Sequence, residues 1–367
     1  MNPLEQIKDN VIKNRYPFLD LDYLKNEYKN AKKTLSFEFD SYIIVGIGGS
    51  SQGSKAFAGV LNKKNIHYFD HLNSREINRV IDSINIKKTG FIFISKSGTT
   101  SEVLTLFDHL SGLLKDKLSI EKNFLVITEE NTAPLYTLAR HMGIHVIKHD
   151  NKIGGRFSIF SNTGLIPISF FYNNIDSIFL GLKSSIDNFI NETPTKNEVS
   201  PFLAASKKFK LIQEGKNINI MLFYGDELFE LGNWLKQLFA ESLGKNGFGF
   251  LPIVSKMTQD QHSLLQLYLD GPKDKFFEIY SVTYNENNDF IDITLANHKD
   301  AMIQTLESEN LPIVKHTNYS VESIDLIGYQ LGYLFANSML EVLILAEMGC
   351  VDAFSQDAVE RQKNFLK

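Results

Sequence analysis

The chain has 367 residues, 43% of them hydrophobic and 22% charged, which is typical of a globular protein with a sizeable core and room for two domains. A net charge of −5 without a long basic stripe excludes an electrostatic case for nucleic-acid binding. The lone cysteine, Cys350, excludes an intramolecular disulfide, and the N-terminal residues mix charges without the apolar core of a secretory signal. We therefore expect a cytoplasmic protein.

The first half of the chain alternates strand-like and helix-like segments. Its apolar runs have the length of strands and no polar face, and helical patterns separate them, which indicates βαβ units around a parallel sheet. The predicted strands are 41–49, 65–70, 90–98, 123–130 and 143–150. The predicted helices between them are about 52–62, 74–86, 100–116 and 131–142.

A second α/β unit is predicted after a polar segment with two prolines, 191–201, which suits a connection between domains. Its alternation is less regular than that of the first half. The predicted strands are 217–226, 248–255 and 276–284, with a helix at 227–243 and a short helix from about 260.

One segment, 326–349, is long and apolar enough to raise the question of a membrane span. Polar residues interrupt it, including Gln330, Asn337, Glu341 and Glu347, and a carboxylate near the centre of a bilayer is costly. We therefore predict one or two buried core helices here and no membrane contact.

A glycine-rich turn, VGIGGSSQGSKAF (45–57), follows the first predicted strand and opens a helix, where phosphate groups are often bound. Neither familiar phosphate loop matches it. The dinucleotide fingerprint requires glycine where Ser51 stands, and the Walker A loop requires lysine where Ser54 stands. What is left is a glycine turn that carries Ser50 and Ser51 at a helix N-terminus.

A hydroxyl-rich segment, FISKSGTTSE (93–102), occupies the same position after the third predicted strand. Because the carboxyl ends of neighbouring strands in an open parallel sheet share one crevice, we expect its hydroxyl groups to face the same space as Ser50. These groups belong to Ser95, Ser97, Thr99 and Thr100. Neutral hydroxyls beside backbone N–H groups suit a phosphomonoester, although one of them could simply cap the following helix.

Three histidines at four-residue spacing, His141, His145 and His149, invite a metal interpretation. The predicted strand at 143–150 keeps them off a common helical face, and no cysteine or carboxylate pattern supports a site. We predict no metal.

The two loops together resemble the sugar isomerase (SIS) domain. Further segments are similar to those of the glucose-6-phosphate isomerase family in its short bacterial-type form: GGRFSIFSNTGLIP (154–167), KQLFAESLGK (236–245), DQHSLLQLYLDG (260–271) and FSQDAVERQK (354–363). The matches fall in order and span residues 45–363. The last segment departs from the family pattern, because Asp357, Arg361 and Gln362 stand where the family usually has small or apolar residues.

The resemblance implies α/β architecture with two tandem SIS-type, flavodoxin-like α/β/α sandwich domains, mainly parallel sheets and a helical C-terminus. We expect a lead-in and the first domain at residues 1–190, the second domain at 191–350 and a C-terminal active-site segment at 351–367.

The implied reaction converts glucose 6-phosphate and fructose 6-phosphate reversibly through a cis-enediol, in glycolysis and gluconeogenesis. Glu241 follows apolar residues near the end of a predicted helix, and a carboxylate partly removed from water is a better base near neutrality. The resemblance gives it the proton shuttle between C1 and C2. It gives Arg156 the stabilisation of the enediolate, and it gives His262, assisted by Lys363, the opening of the sugar ring.

The other implied binding residues contact phosphate or substrate: Gly49, Ser50, Ser95, Lys96, Ser97, Thr100, Gln237 and Gln356. No cofactor is needed, and the partner is a small-molecule hexose 6-phosphate. In the family His262 comes from the neighbouring subunit, so the resemblance implies a homodimer. The alternatives are an isomerase of another sugar phosphate, such as a dual glucose/mannose phosphate isomerase, and a non-catalytic sugar-phosphate-binding SIS protein.

Overall fold

The computed structural model describes residues 3–130, 132–193, 200–283, 290–320 and 323–363, which form two compact units. The first unit is Tyr16–Ile175, and the second comprises the residues up to Arg15 and those from Asp176 onward. The two units divide at the start of the helix Ile175–Asn191, whose C-terminal end is near the expected domain boundary at residue 190. Helix α1 (Pro3–Ile12) belongs to the second unit because it packs on that unit's long C-terminal helix.

The first unit contains a five-stranded parallel sheet in the order β2-β1-β3-β4-β5, which is the flavodoxin-like order. Its strands are β1 (Ser41–Val45), β2 (Ile66–Phe69), β3 (Thr89–Ile94), β4 (Phe124–Thr128) and β5 (His145–Lys148). Its helices are α2 (Leu21–Thr34), α3 (Gln52–Val60), α4 (Ser74–Ser83), α5 (Ser101–Leu114), α6 (Ile120–Asn123), α7 (Pro134–His141) and α8 (Asn162–Ile168). All five predicted strands and the four helices predicted between them are confirmed.

The central strands of this sheet are buried on both faces, as their unbroken apolar runs require. Every residue of β3 and β4 is buried, and aromatic rings of the two strands pack together, with the ring centroids of Phe93 and Phe124 4.9 Å apart. The predicted ends of β1 and β3 were too long, because the chain leaves the sheet at Gly46 and Ser95 to form the two polar loops.

The second unit contains a four-stranded parallel sheet in the order β7-β6-β8-β9. Its strands are β6 (Ile218–Tyr224), β7 (Leu251–Met257), β8 (Lys275–Thr283) and β9 (Ile313–Ser320). Its further helices are α9 (Ile175–Asn191), α10 (Pro201–Gln213), α11 (Phe229–Leu243), α12 (Gln259–Ser263), α13 (Leu265–Asp270), α14 (Phe290–Ser308), α15 (Ile324–Met348) and α16 (Asp357–Lys363). Strand β7 begins later than predicted because Gly247 and Gly249, with φ values of 78° and 113°, turn the chain first.

Helix α15 is a single helix that is long and apolar enough to cross a membrane, but 89% of its most apolar 18-residue window is buried inside the protein. Its carboxylate Glu341 is fully buried and paired with Lys315 at 2.8 Å. Of the two predicted arrangements, one buried core helix or two, the structure has one.

Candidate active site

The two polar loops begin side by side in the first unit. Strands β1 and β3 are neighbours, with Val45 paired to Phe93, and the order of the sheet reverses at this point. Ligands of open α/β sheets bind outside the carboxyl ends of the strands at such a switch point. The first loop starts with Gly46, where an added Cβ would lie 3.3 Å from the carbonyl oxygen of Ile94. The structure therefore brings the two loops chosen from the sequence to the same edge of the sheet.

The two serines of the first loop, Ser50 and Ser51, have different roles. Ser51 is buried, and its hydroxyl donates to the carbonyl oxygen of Gly46 at 2.7 Å, which closes the turn before α3. Ser50 is half-buried and lies in the short 3-10 turn Gly48–Ser50. Gly48 has a φ of 57°, a left-handed conformation that glycine adopts at little cost. Ser50 is therefore the hydroxyl of this turn that is available to a ligand.

The hydroxyl groups of the second loop bond to each other rather than to the helix that follows. Ser95 and Thr100 approach to 2.8 Å, as do Ser97 and Thr99. Thr100 is the N-cap residue of α5, yet its side chain makes no capping hydrogen bond. The capping alternative therefore fails at Thr100, the residue that occupies the N-cap position. Lys96 is half-buried within the same loop.

Arg156 is buried in a 3-10 turn, Gly155–Phe160, that packs directly against the first loop. A Cβ added at Gly49 would lie 2.2 Å from the carbonyl carbon of Gly155 and 2.6 Å from the backbone nitrogen of Arg156. Ser158 donates to the carbonyl oxygen of Gly49 at 3.1 Å. Gly49 therefore has a steric role, because it lets the backbone that carries Arg156 meet the first loop.

His149 was considered as a metal ligand, but the structure gives it a different role. Its Nε2 donates to the carbonyl oxygen of Ile153 at 3.1 Å, and its Nδ1 lies 2.6 Å from the Thr163 hydroxyl. Burial lowers the pKa of His149 to about 4, although the Ile153 hydrogen bond acts in the opposite direction. The neutral ring thus ties the end of β5 to α8, on either side of the Arg156 turn. His141 and His145 lie on α7 and β5, and no cluster of three metal-binding side chains occurs among the described residues.

The second unit contains a pocket of about 690 Å³ along one face of α11. Its polar lining includes Lys236, Gln237, Glu241, Lys245, Gln356 and Arg361. The amide nitrogen of Gln237 donates to Oε2 of Glu241 at 3.0 Å, across one helical turn. We call this cavity the Glu241 pocket. It brings together three residues that sequence reasoning chose from two distant segments: Gln237 and Glu241 from one, and Gln356 from the other.

Lys245 was not chosen from the sequence, yet it fixes the end of the helix that carries Glu241. Its ammonium group donates to the backbone carbonyl oxygens of Glu241 at 3.0 Å and Ser242 at 2.7 Å. Cations near the C-terminus of a helix satisfy carbonyl groups that have no partner inside the helix. The GK dipeptide after a predicted helix was the available signal, because such pairs often end helices.

His262 does not line this pocket in the described part of the chain. His262 is exposed on α12 and is absent from the pocket lining. The turn before it is held by Asp260, whose carboxylate accepts from the backbone nitrogen of Lys256 at 2.8 Å. The backbone of Lys363 ends α16, and its side chain lies outside the described part of the chain.

By fold, two parallel α/β units of flavodoxin-like strand order make this chain similar to a solved sugar-phosphate isomerase. The crystal structure of a glucose-6-phosphate isomerase from Chlamydia trachomatis superposes with a TM-score of 0.77, over 93% of this chain and 72% of that chain, at 20% sequence identity. An identity this low shows the fold alone.

The phosphoglucose isomerase family model matches residues 31–273. A probable glucose-6-phosphate isomerase of Methanococcus maripaludis is 32% identical over 98% of this chain and 85% of its own length. A glucose-6-phosphate isomerase of Campylobacter jejuni is 31% identical over 89% of this chain and 84% of its own. The chain belongs to the phosphoglucose isomerase family.

Proposed function

We propose that this chain is an aldose–ketose isomerase that interconverts glucose 6-phosphate and fructose 6-phosphate through a cis-enediol, in glycolysis and gluconeogenesis in the cytoplasm. Family membership supports the reaction. The observation that carries the proposal is the Glu241 pocket, where a half-buried carboxylate on α11 is oriented by the Gln237 amide. Binding a sugar phosphate does not require a base, so this arrangement favours an enzyme over a non-catalytic binding protein.

The loops after β1 and β3 supply the phosphate contacts in this proposal. Helix N-termini and neutral hydroxyls bind a phosphomonoester without the full cost of a buried ion pair. Ser50, Ser95, Lys96, Ser97 and Thr100 are the contacting residues. Gly49 acts through its close approach to the backbone before Arg156.

The proton transfer is assigned to Glu241, which takes a proton from one of the carbons C1 and C2 and returns it to the other. The guanidinium of Arg156 stabilises the negative charge that develops on the enediolate oxygen. Its charge is permanent, and burial in the Gly155–Phe160 turn makes that charge more effective than it would be in water. Gln237 and Gln356 bind the substrate, and no cofactor takes part.

Ring opening is assigned to His262, assisted by Lys363, with His262 supplied by the second chain of a homodimer. The supporting observation is that His262 is exposed on α12 and does not line the pocket of its own chain. An imidazole can exchange protons with the ring oxygen near neutral pH.

A coupled assay that converts fructose 6-phosphate to glucose 6-phosphate tests the reaction, with mannose 6-phosphate run in parallel. We expect Glu241→Gln to lower kcat by at least about a hundredfold, because the amide cannot accept the proton. Calorimetry should still detect fructose 6-phosphate binding to this variant. A wild-type protein inactive on all three hexose 6-phosphates, or a Glu241→Gln variant with most of its activity, would refute the proposal.

A mixed dimer tests the origin of His262. Chains carrying Glu241→Gln and His262→Asn are each expected to be inactive alone. If each site takes its glutamate and its histidine from different chains, the mixed dimer contains one intact site and recovers about half of the wild-type activity per dimer. If both residues came from one chain, no mixed site would be intact and no activity would return.

A further inference from the structure

The second unit contains four charged side chains that are buried together, which we call the charge quartet: Lys208, Glu278, Lys315 and Glu341. Each lysine contacts both carboxylates. Lys208 lies 2.5 Å from Glu278 and 2.5 Å from Glu341, and Lys315 lies 3.2 Å and 2.8 Å from the same two groups. The four side chains come from α10, β8, β9 and α15, so the quartet joins two strands of the sheet to two helices.

The quartet is electrically balanced, with two cations and two carboxylates. Burial alone would raise the pKa of Glu278, but Lys208 and Lys315 hold it well below its ordinary value. Asn219 and Tyr280 each donate a hydrogen bond of 2.7 Å to the same carboxylate. Fully paired buried ions add little net stability, since desolvation offsets their attraction, but they fix the arrangement of the groups around them.

One member of the quartet contacts the helix that carries Glu241. The ammonium group of Lys208 lies 3.9 Å from the centroid of the Phe239 ring, and Phe239 is fully buried on α11. Residues two apart on a helix lie about 200° apart around its axis, so Phe239 is on the face opposite Gln237 and Glu241. The quartet therefore holds the back of α11, while the front of the helix lines the Glu241 pocket.

We propose that Lys208, held in place by Glu278 and Glu341, is a positioning residue that fixes the rotation of α11 through the ring of Phe239 and so directs Glu241 into its pocket. The inference rests on the base role proposed above for Glu241. A cation–π contact in a site without water is stronger than one at the surface and requires the ring to face the ammonium group. A small displacement of a catalytic group can lower a rate by orders of magnitude.

The chain contains a matched control for this contact. The ring of Phe250 lies 5.6 Å from the same ammonium group and packs against Phe239, with their ring centroids 5.6 Å apart. Phe250 precedes β7 and is not part of α11. Phe239→Leu and Phe250→Leu therefore each remove an aromatic ring from the same apolar surroundings. Only Phe239→Leu removes the contact between Lys208 and α11.

The test measures kcat, KM and the melting temperature of both variants with fructose 6-phosphate. We expect Phe239→Leu to lower kcat about tenfold with KM within about twofold of wild type, because Glu241 is displaced while the phosphate-binding loops after β1 and β3, which are not part of α11, stay unchanged. Phe250→Leu should change kcat by less than about threefold at a similar loss of melting temperature. Equal effects on kcat, or a change in KM alone, would overturn the positioning role.

A double variant, Lys208→Met with Glu278→Gln, provides an independent test because it removes one charge of each sign and leaves the quartet neutral. It should reproduce the fall in kcat of Phe239→Leu, and wild-type kcat in this variant would overturn the proposal. Glu241→Gln is assayed beside it. If that variant kept its activity, both the base and its positioning would fall. If it were inactive while the two leucine variants behaved alike, only the positioning role would fall.

Discussion

Replacing Gly49 by alanine tests the contact that places Arg156 beside the first loop. The added methyl carbon would lie 2.2 Å from the carbonyl carbon of Gly155, whereas carbon atoms in contact are normally 3.5–4.0 Å apart. The obstructing atoms belong to the backbone, so no side chain can rotate away. The two segments must therefore separate by about 1 Å or more, a displacement that costs a catalytic group up to about 100-fold in rate.

We accordingly expect Gly49→Ala to lower kcat/KM for fructose 6-phosphate by about one to two orders of magnitude. Urea unfolding should show a loss of about 1–3 kcal/mol, the usual range for an overpacked core position. Gly112→Ala is the matched control, because nothing lies within 4 Å of the added carbon and Gly112 is inside α5. It should keep full activity and gain up to about 1 kcal/mol of stability. If Gly49→Ala had wild-type activity and stability, the close approach of the two segments would be refuted.

Three further predictions concern groups with known partners. The pKa of His149 is about 4 in the folded protein, against an ordinary value of 6.5. Its neutral form therefore contributes about 3 kcal/mol to the free energy of unfolding above pH 6.5, and this contribution is lost as the pH falls toward 4. Urea titrations between those pH values should show a flatter dependence for His149→Gln, and an unchanged slope would contradict the assignment. Lys245→Met should cost about 1 kcal/mol and lower kcat, because it releases the end of α11, whereas Lys210→Met, at an exposed side chain of α10, should do neither. Glu341→Ala leaves buried lysines without one of their carboxylates and should cost about 3–5 kcal/mol, whereas Glu214→Ala should cost under about 1 kcal/mol by thermal unfolding, and equal losses would contradict the buried quartet.

The sequence predicted the first sheet well because its strands are buried on both faces and are separated by clear helical patterns. The strand ends were less accurate, since the apolar runs continue into Gly46 and Ser95 after the backbone has left the sheet. Local patterns show where a strand is buried, but the end of pairing depends on the neighbouring strand.

The end of the second unit was harder to predict. Helix α14 buries only Met302 and Leu306 among its described side chains, so its apolar residues do not mark one face. Strand β9 carries Lys315 as a buried residue, which is compatible with a core only because Glu341 on α15 neutralises it. That partner is distant in the sequence, and no local pattern indicates the pair.

In the candidate site, too, some residues could be identified from the sequence, whereas the roles of others depend on the fold. Glu241, Gln237 and Gln356 were identified from family segments, and the structure places them in one pocket. The roles of Ser51 and His149 could not be read from the sequence, because each depends on a partner that only the fold brings close. Resemblance can identify residue types that take part in a reaction, whereas the contacts that position them need coordinates.

Exchange of substrate hydrogen with solvent tests the central claim most directly. When the protein is incubated with glucose 6-phosphate in D2O, the proton that Glu241 holds in the enediol intermediate can exchange with solvent, so the account predicts partial incorporation of deuterium at C2, observed by NMR. Glu241→Gln should bind the sugar phosphate and incorporate none. Isomerisation by the wild type without any exchange, or exchange at the wild-type rate in Glu241→Gln, would contradict the account.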